Sequence, residues 1–224
     1  MTEITDHFAQ IRERVVRAAR GSANDVMIVA VSKGQPVEAI DRVYAAGQRR
    51  FGESYVQEAL PKIEALRDRD IEWHFIGRVQ ANKTRPIAEH FHWVHTVDRE
   101  RVAARLDAAR PHYAPPLNVL LQVNLAGEPQ KSGVSETEAA PLAAAVSRLP
   151  RLALRGLMTI PPAEASAAES AALFERLKSL QQALAAAHPG MDVLSMGMSG
   201  DFELAIAHGS TCVRIGTAIF GPRR

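Results

Sequence analysis

A chain of 224 residues with one cysteine, Cys212, cannot close an internal disulfide, and that scarcity fits a reducing compartment. No stretch approaches the roughly 20 apolar residues that a membrane span needs. The amino terminus carries Glu3 and Asp6 and no apolar signal core, so no export signal is expected. Charge of one sign is not in excess either. The 27 Lys and Arg stand against 25 Asp and Glu and are interspersed with them, so no strong field argues for nucleic acid. The closing Pro222-Arg223-Arg224 is too short for a basic tail. Repeats of fixed period, low-complexity segments and domain linkers are all missing. What remains, with 46% apolar and 23% charged residues, is expected to be a soluble, cytoplasmic, single-domain protein over residues 1–224.

The most informative stretch is Met27-Ile28-Val29-Ala30-Val31-Ser32-Lys33. Five apolar residues with β-branched members suit a strand buried on both faces. Gly34-Gln35-Pro36 then break the pattern, and Pro36 suits a first helical turn. Before this strand, Ile4, Phe8, Ile11 and Val15 recur at helical spacing, with Thr5 or Asp6 as cap and Gly21 as stop. This helix is expected to cover the mouth or floor of the fold. After it, strand and helix alternate. Strands are expected at 50–53, 73–77, 93–97, 117–123, 154–159, 193–196 and 213–216. The helices between them include one capped by Ser54 with Val56, Leu60 and Ile63 inward, one capped by Asp98, and a long one over 165–187. Roughly eight alternations in a chain of this length predict an α/β fold, a single-domain (β/α)8 TIM barrel with an extra N-terminal helix. A doubly wound open sheet is the alternative, weakened because Ser-Lys-Gly, and no glycine fingerprint, follows the first strand.

In a barrel, residues just past each strand share one face. They include Lys33, Glu53 with Ser54, His74 and Gly77 with Asn82, Asn124, Met158 with Thr159, the run Ser195 to Ser199, and Arg214 to Thr217. The last two runs carry a glycine beside a hydroxyl, Met198-Ser199-Gly200 and Gly216-Thr217, next to helix starts, where unpaired N–H groups favour an anion. Two such adjacent loops favour phosphate. A lysine near a phosphate suggests either a Schiff-base aldolase or a lysine holding pyridoxal phosphate. Lys33 and Arg214 fall on the first and last strands, which are neighbours in a closed barrel. An arginine near a pyridine nitrogen disfavours its protonation and weakens the ring as an electron sink. The histidines His90, His92 and His95 match no metal-ligand spacing, and polar packing at a strand end is expected for His95. Cys212 is expected to be a small buried thiol. Lys131 reads as a surface or pocket-rim charge, and Tyr55 as packing. His74 reads equally as pocket wall or satisfied core histidine.

The blocks VAVSK (29–33), FGESYVQE (51–58), WHFIGRVQANK (73–83), HTVD (95–98), KSG (131–133), LRGLMTI (154–160), SMGMSGD (195–201) and VRIGTAIFG (213–221) together resemble the pyridoxal-phosphate homeostasis proteins, a family similar to the barrel domain of alanine racemase. The resemblance runs in order along nearly the whole chain. It implies pyridoxal 5'-phosphate held as an aldimine on Lys33, phosphate contacts from the Ser199 loop and from Gly216 and Thr217, and Arg214 near the pyridine nitrogen. His74, Ser54, Asn82 and Met198 complete the expected cofactor-binding set, with no catalytic residue and no metal. It also implies a role in keeping the cofactor and delivering it to apo-enzymes, with effects on amino-acid and keto-acid balance. Two positions depart from the family: Ser54 stands where it usually has asparagine, and Arg78 where it usually has proline.

The alternative is a pyridoxal-phosphate-dependent racemase or other small Schiff-base enzyme. A racemase needs acid–base groups on both faces of the substrate carbon, and Lys33 serves only one. The second domain that supplies the other in alanine racemase has no counterpart here. A monomeric binding protein, not an efficient racemase, is therefore expected.

Overall fold

The computed structural model describes residues 3–19, 26–128 and 130–222. Eight parallel strands close in sequence order into a barrel. They are β1 (Met27–Val31), β2 (Arg50–Glu53), β3 (Glu72–Phe75), β4 (Trp93–Val97), β5 (Leu117–Gln122), β6 (Leu152–Met158), β7 (Val193–Ser195) and β8 (Cys212–Ile215). Around them run α1 (Glu3–Ala18), α2 (Val37–Ala45), α3 (Val56–Ala65), α4 (Thr84–His90), α5 (Glu100–Ala109), α6 (Glu136–Val146), α7 (Ala167–Ala185), α8 (Phe202–Ala207) and α9 (Thr217–Phe220), with a 3-10 turn at Ala81–Lys83. The (β/α)8 expectation holds, and the doubly wound sheet is excluded by closure of β1 on β8.

Two apolar cores follow from the pleat. Val29, Trp93, Leu120, Met158, Val193 and Cys212, from six different strands, fill the inside of the barrel. The alternate residues, among them Ala30, Phe51, Phe75, Val94, Leu121 and Val213, pack outward against the helices. Helix α1 buries Phe8, Ile11 and Val15. It packs on α2, α8 and α9 in the helical shell, not over the mouth or floor, and Arg14 ties it to Glu203 at 2.8 Å. Thr5 and Asp6 lie inside this helix and do not cap it, and Gly21 is outside the described residues.

Other helix starts also differ from expectation. Tyr55 and Arg99, not Ser54 and Asp98, occupy the N-caps of α3 and α5, and neither start has a side-chain cap. Full capping boxes instead open α6 (Ser135 with Glu138) and α7 (Ser166 with Glu169).

The register of β5 against β6 shifts beside Gly156, whose φ is +147°. A Cβ there would meet the Val193 carbonyl oxygen at 1.8 Å, while one at Gly200 would meet nothing within 4 Å. Gly156→Ala should therefore lower the unfolding free energy by about 3 kcal/mol or more in urea titration, and Gly200→Ala by no more than about 0.5 kcal/mol.

Candidate functional site

The chain leaves β1 through a tight turn in which Gln35 N–H donates to the Ser32 carbonyl at 3.0 Å. Ser32 is fully buried and Lys33, next in the turn, is half-buried. Behind the turn lies an ionic cluster. Lys62, on the inward face of α3, donates to the Ser32 carbonyl at 2.9 Å, to Glu53 Oε1 at 2.9 Å and to Glu58 Oε1 at 2.6 Å. Those three bonds use all three ammonium protons. Ser32 Oγ donates to the same Glu53 oxygen at 2.6 Å, and Gly34 N–H donates to Glu58 Oε1. Burial raises the Glu53 carboxyl above the usual range, outweighing the bonds from Ser32 and Lys62. Burial acts in the same sense on Glu58, but the Lys62 and Gly34 hydrogen bonds and the charges of Lys62 and Lys33 hold it below the usual range.

Across the rim, the loops after β7 and β8 are joined by one side chain. Ser199 Oγ accepts from Gly216 N–H and from Ala218 N–H, each at 3.3 Å. Ser199 thus caps no part of α8, whose N-cap is Asp201; it sits at the start of α9. Gly216 is needed here for close approach, since a Cβ would meet Val31 Cβ at 3.3 Å and the Val31 carbonyl oxygen at 3.4 Å. That contact brings the β8 loop against the end of β1, two residues before Lys33. Thr217 is exposed beside it, and Met198 is 38% exposed.

Arg214 on β8 pairs with Val29 on β1 and is buried inside the barrel. Its Nη1 donates to Ser195 Oγ at 2.6 Å and its Nη2 to the Thr159 carbonyl at 3.0 Å. It forms no ion pair among the described residues, and burial holds the guanidinium below its ordinary value. From Ser195 the polar chain continues through His95 Nδ1 at 2.9 Å, and from His95 Nε2 to His74 Nδ1 at 2.9 Å. His74 Nε2 is buried without a hydrogen-bond partner and lies 4.0 Å from Glu72 Oε2. Arg214 can only donate, so Ser195 Oγ accepts from it, and the hydroxyl keeps a second acceptor site as well as its own proton. A chain running from Ser195 to His95 Nδ1 and from His95 Nε2–H to His74 turns the His74 Nε2–H towards the Glu72 carboxylate. The opposite direction would face a bare His74 nitrogen towards that carboxylate, so the first direction is favoured on that ground.

His74 is a core histidine stacked on Trp93 at 5.4 Å, linked to Arg214 through two intermediates. His95 packs among polar groups as expected, but from the middle of β4 and not from its end, fully buried in the same chain, whereas His92 accepts from Trp73 N–H at 2.9 Å. Ser54 is half-buried at the rim past β2, and Asn82 is exposed in the 3-10 turn. Tyr55 is 64% exposed and does not pack. Lys131 pairs with Glu128 at 2.6 Å and donates to the Pro161 carbonyl. Cys212 is buried as expected, its thiol pushed up to about 11 by burial. The structure therefore joins Ser199 to Gly216, and Arg214 to His74. The residues that sequence reasoning missed are Lys62 and Glu58. Their i,i+4 spacing was visible, and Lys62 falls at helical spacing with buried Val56 and Ala59.

Residues 7–224 match the model of the alanine racemase N-terminal domain. The pyridoxal phosphate homeostasis protein of Pseudomonas aeruginosa is 51% identical over 226 residues, covering 100% of this chain and 97% of its own length. That of Escherichia coli is 48% identical over 229 residues, covering 100% and 98%. Among solved structures, PipY of Synechococcus elongatus with PLP bound superposes with a TM-score of 0.84 at 40% identity, covering 94% of this chain and 100% of that one. Alanine racemase of Corynebacterium glutamicum shares the fold, with a TM-score of 0.69 at 18% identity over 97% of this chain and 61% of that one.

The histidine pair makes stability depend on pH. Burial first, and then the charge of the other histidine on His74 and of Arg214 on His95, hold both well below their ordinary value of 6.5. The unfolded chain therefore binds protons below pH 6.5 that the folded chain does not, so stability is complete above that pH and falls as pH drops. Between pH 7 and pH 5, urea unfolding should lose stability, by at most about 2 kcal/mol for each histidine, and His74→Gln should make the loss smaller.

Proposed function

Because the chain belongs to the pyridoxal phosphate homeostasis protein family, we propose that it binds pyridoxal 5'-phosphate covalently at Lys33 and serves cofactor homeostasis. The carrying observation is the buried Arg214 guanidinium, which forms no ion pair among the described residues and sits on the strand next to β1, whose following turn carries Lys33. A buried cation without a counter-ion is costly, and an anionic, nitrogen-bearing ligand in this place relieves the cost.

When bound, pyridoxal phosphate supplies an aldehyde that combines with an amine and a pyridine ring that can withdraw electrons. Lys33 supplies the amine. Ser199, Gly216 and Thr217, with Met198 beside them, offer hydroxyl and N–H donors to the phosphate. Arg214, its direction set by Ser195 and Thr159, would face the pyridine nitrogen and disfavour its protonation, which suits holding the cofactor more than using it. His74 supports Arg214 from below through His95 and Ser195, while Ser54 and Asn82 border the rim. We assign one cofactor-binding domain to residues 1–224, a monomeric state, a cytoplasmic location and delivery of the cofactor to apo-enzymes. The relatives' names point to homeostasis, not to a reaction. No described helix is long and apolar enough to cross a membrane.

Loaded protein should show a near-ultraviolet or visible band that borohydride abolishes, leaving the reduced adduct on Lys33, and Lys33→Ala should be colourless. An unchanged band in Lys33→Ala would contradict the assignment. Mixed with an apo-enzyme, loaded protein should release cofactor stoichiometrically while turning over no D- or L-amino acid beyond its own molar amount; multiple turnover would favour the racemase instead.

A further inference from the structure

The Lys33 turn is held from behind by charges that take no part in the cofactor contacts proposed above. Lys62 grips the Ser32 carbonyl, the residue before Lys33, and Glu58 grips the Gly34 N–H, the residue after it. The two grips are one unit, because Lys62 Nζ and Glu58 Oε1 are themselves 2.6 Å apart on successive turns of α3. Glu53, fully buried at the end of β2, accepts from Lys62 and from Ser32 Oγ and ties the unit to the barrel wall. The peptide groups on both sides of Lys33 are therefore fixed to α3 and β2. Two peptide planes so held leave the Lys33 Cα–Cβ bond one direction.

We infer that Lys62 and Glu58 are positioning residues for Lys33, a two-sided clip that presents its amine to the barrel mouth before any ligand arrives. A nucleophile held in its reacting geometry avoids the entropy of finding it. A lysine on a surface helix is normally solvated; here it is 8% exposed and spends its whole donor capacity on one turn and two carboxylates. Helix α3, which carries no residue of the proposed phosphate site, so gains a function in the Lys33 chemistry.

This inference rests on the assignment of Lys33, and the test separates the two. Glu58 is partly exposed, so Glu58→Ala should fold; Glu58→Gln keeps an acceptor oxygen without the charge; Lys62→Met removes the other grip. In the cofactor-free protein, amide hydrogen exchange at Gly34 should speed up about tenfold or more in Glu58→Ala, and recover in Glu58→Gln. The rate of borohydride-trappable attachment of pyridoxal phosphate should fall by about tenfold in Glu58→Ala and in Lys62→Met, with Glu58→Gln recovering most of it. Unchanged Gly34 exchange and unchanged attachment in Glu58→Ala would overturn the clip. Equal losses in Glu58→Ala and Glu58→Gln would also overturn it, by assigning the effect to charge instead of to the held turn. If the parent's adduct survives Lys33→Ala, the cofactor assignment fails, and Gly34 exchange still decides whether the clip exists.

Discussion

Pairing of β1 with β8 closes the barrel, and the arrangement of the site depends on that one seam. The register runs Met27 to Cys212, Ile28 to Val213, Val29 to Arg214 and Ala30 to Ile215. It makes neighbours of residues nearly the whole chain apart, and it places an arginine beside the strand that leads into Ser32-Lys33. The same seam lets the Gly216 backbone rest on Val31, so the loop that reaches Ser199 leans on the end of β1. An open sheet with the same strands would leave these groups on opposite edges.

Polar groups inside the barrel are organised around the consequence. Burying Arg214 with no ion pair among the described residues demands acceptors, and Ser195 and the Thr159 carbonyl provide them. Ser195 in turn is joined to His95 and through it to His74, so a polar wire lies within an interior built from apolar residues such as Leu120 and Met158. On the outer side of the strands the problem is solved differently. There the buried charges are of both signs, Lys62 with Glu53 and Glu58, and one ammonium between two carboxylates fastens a turn. Lys62 is paired by carboxylates of the protein and Arg110 is held by the Ala88, Phe91 and Pro115 carbonyls, whereas Arg214 lies inside the barrel below the mouth.

Much of this was legible in the residues. Strand positions follow from short β-branched runs bounded by glycine and proline, and their number and order predict the barrel. The strand-end residues then fall together because a closed parallel barrel puts all of its strand ends on one face. What escaped was lateral and buried. Lys62 draws no notice in the sequence because a lysine on a helix is nearly always solvated, although its spacing from Val56 and Ala59 places it on the inward stripe. His95 reads as polar packing without a named partner, because nothing local reveals that Ser195, a hundred residues on, supplies it. Ser54 and Asp98 looked like caps because their residue types favour that role; the helices start one or two residues later.

A crystal structure of the protein grown with pyridoxal phosphate tests the central claim most directly. Density should run unbroken from Lys33 Nζ into the cofactor, with the phosphate against the Ser199 and Gly216–Thr217 loops and Arg214 facing the pyridine nitrogen. Cofactor joined to another amine, or a phosphate seated away from those two loops, would contradict the account.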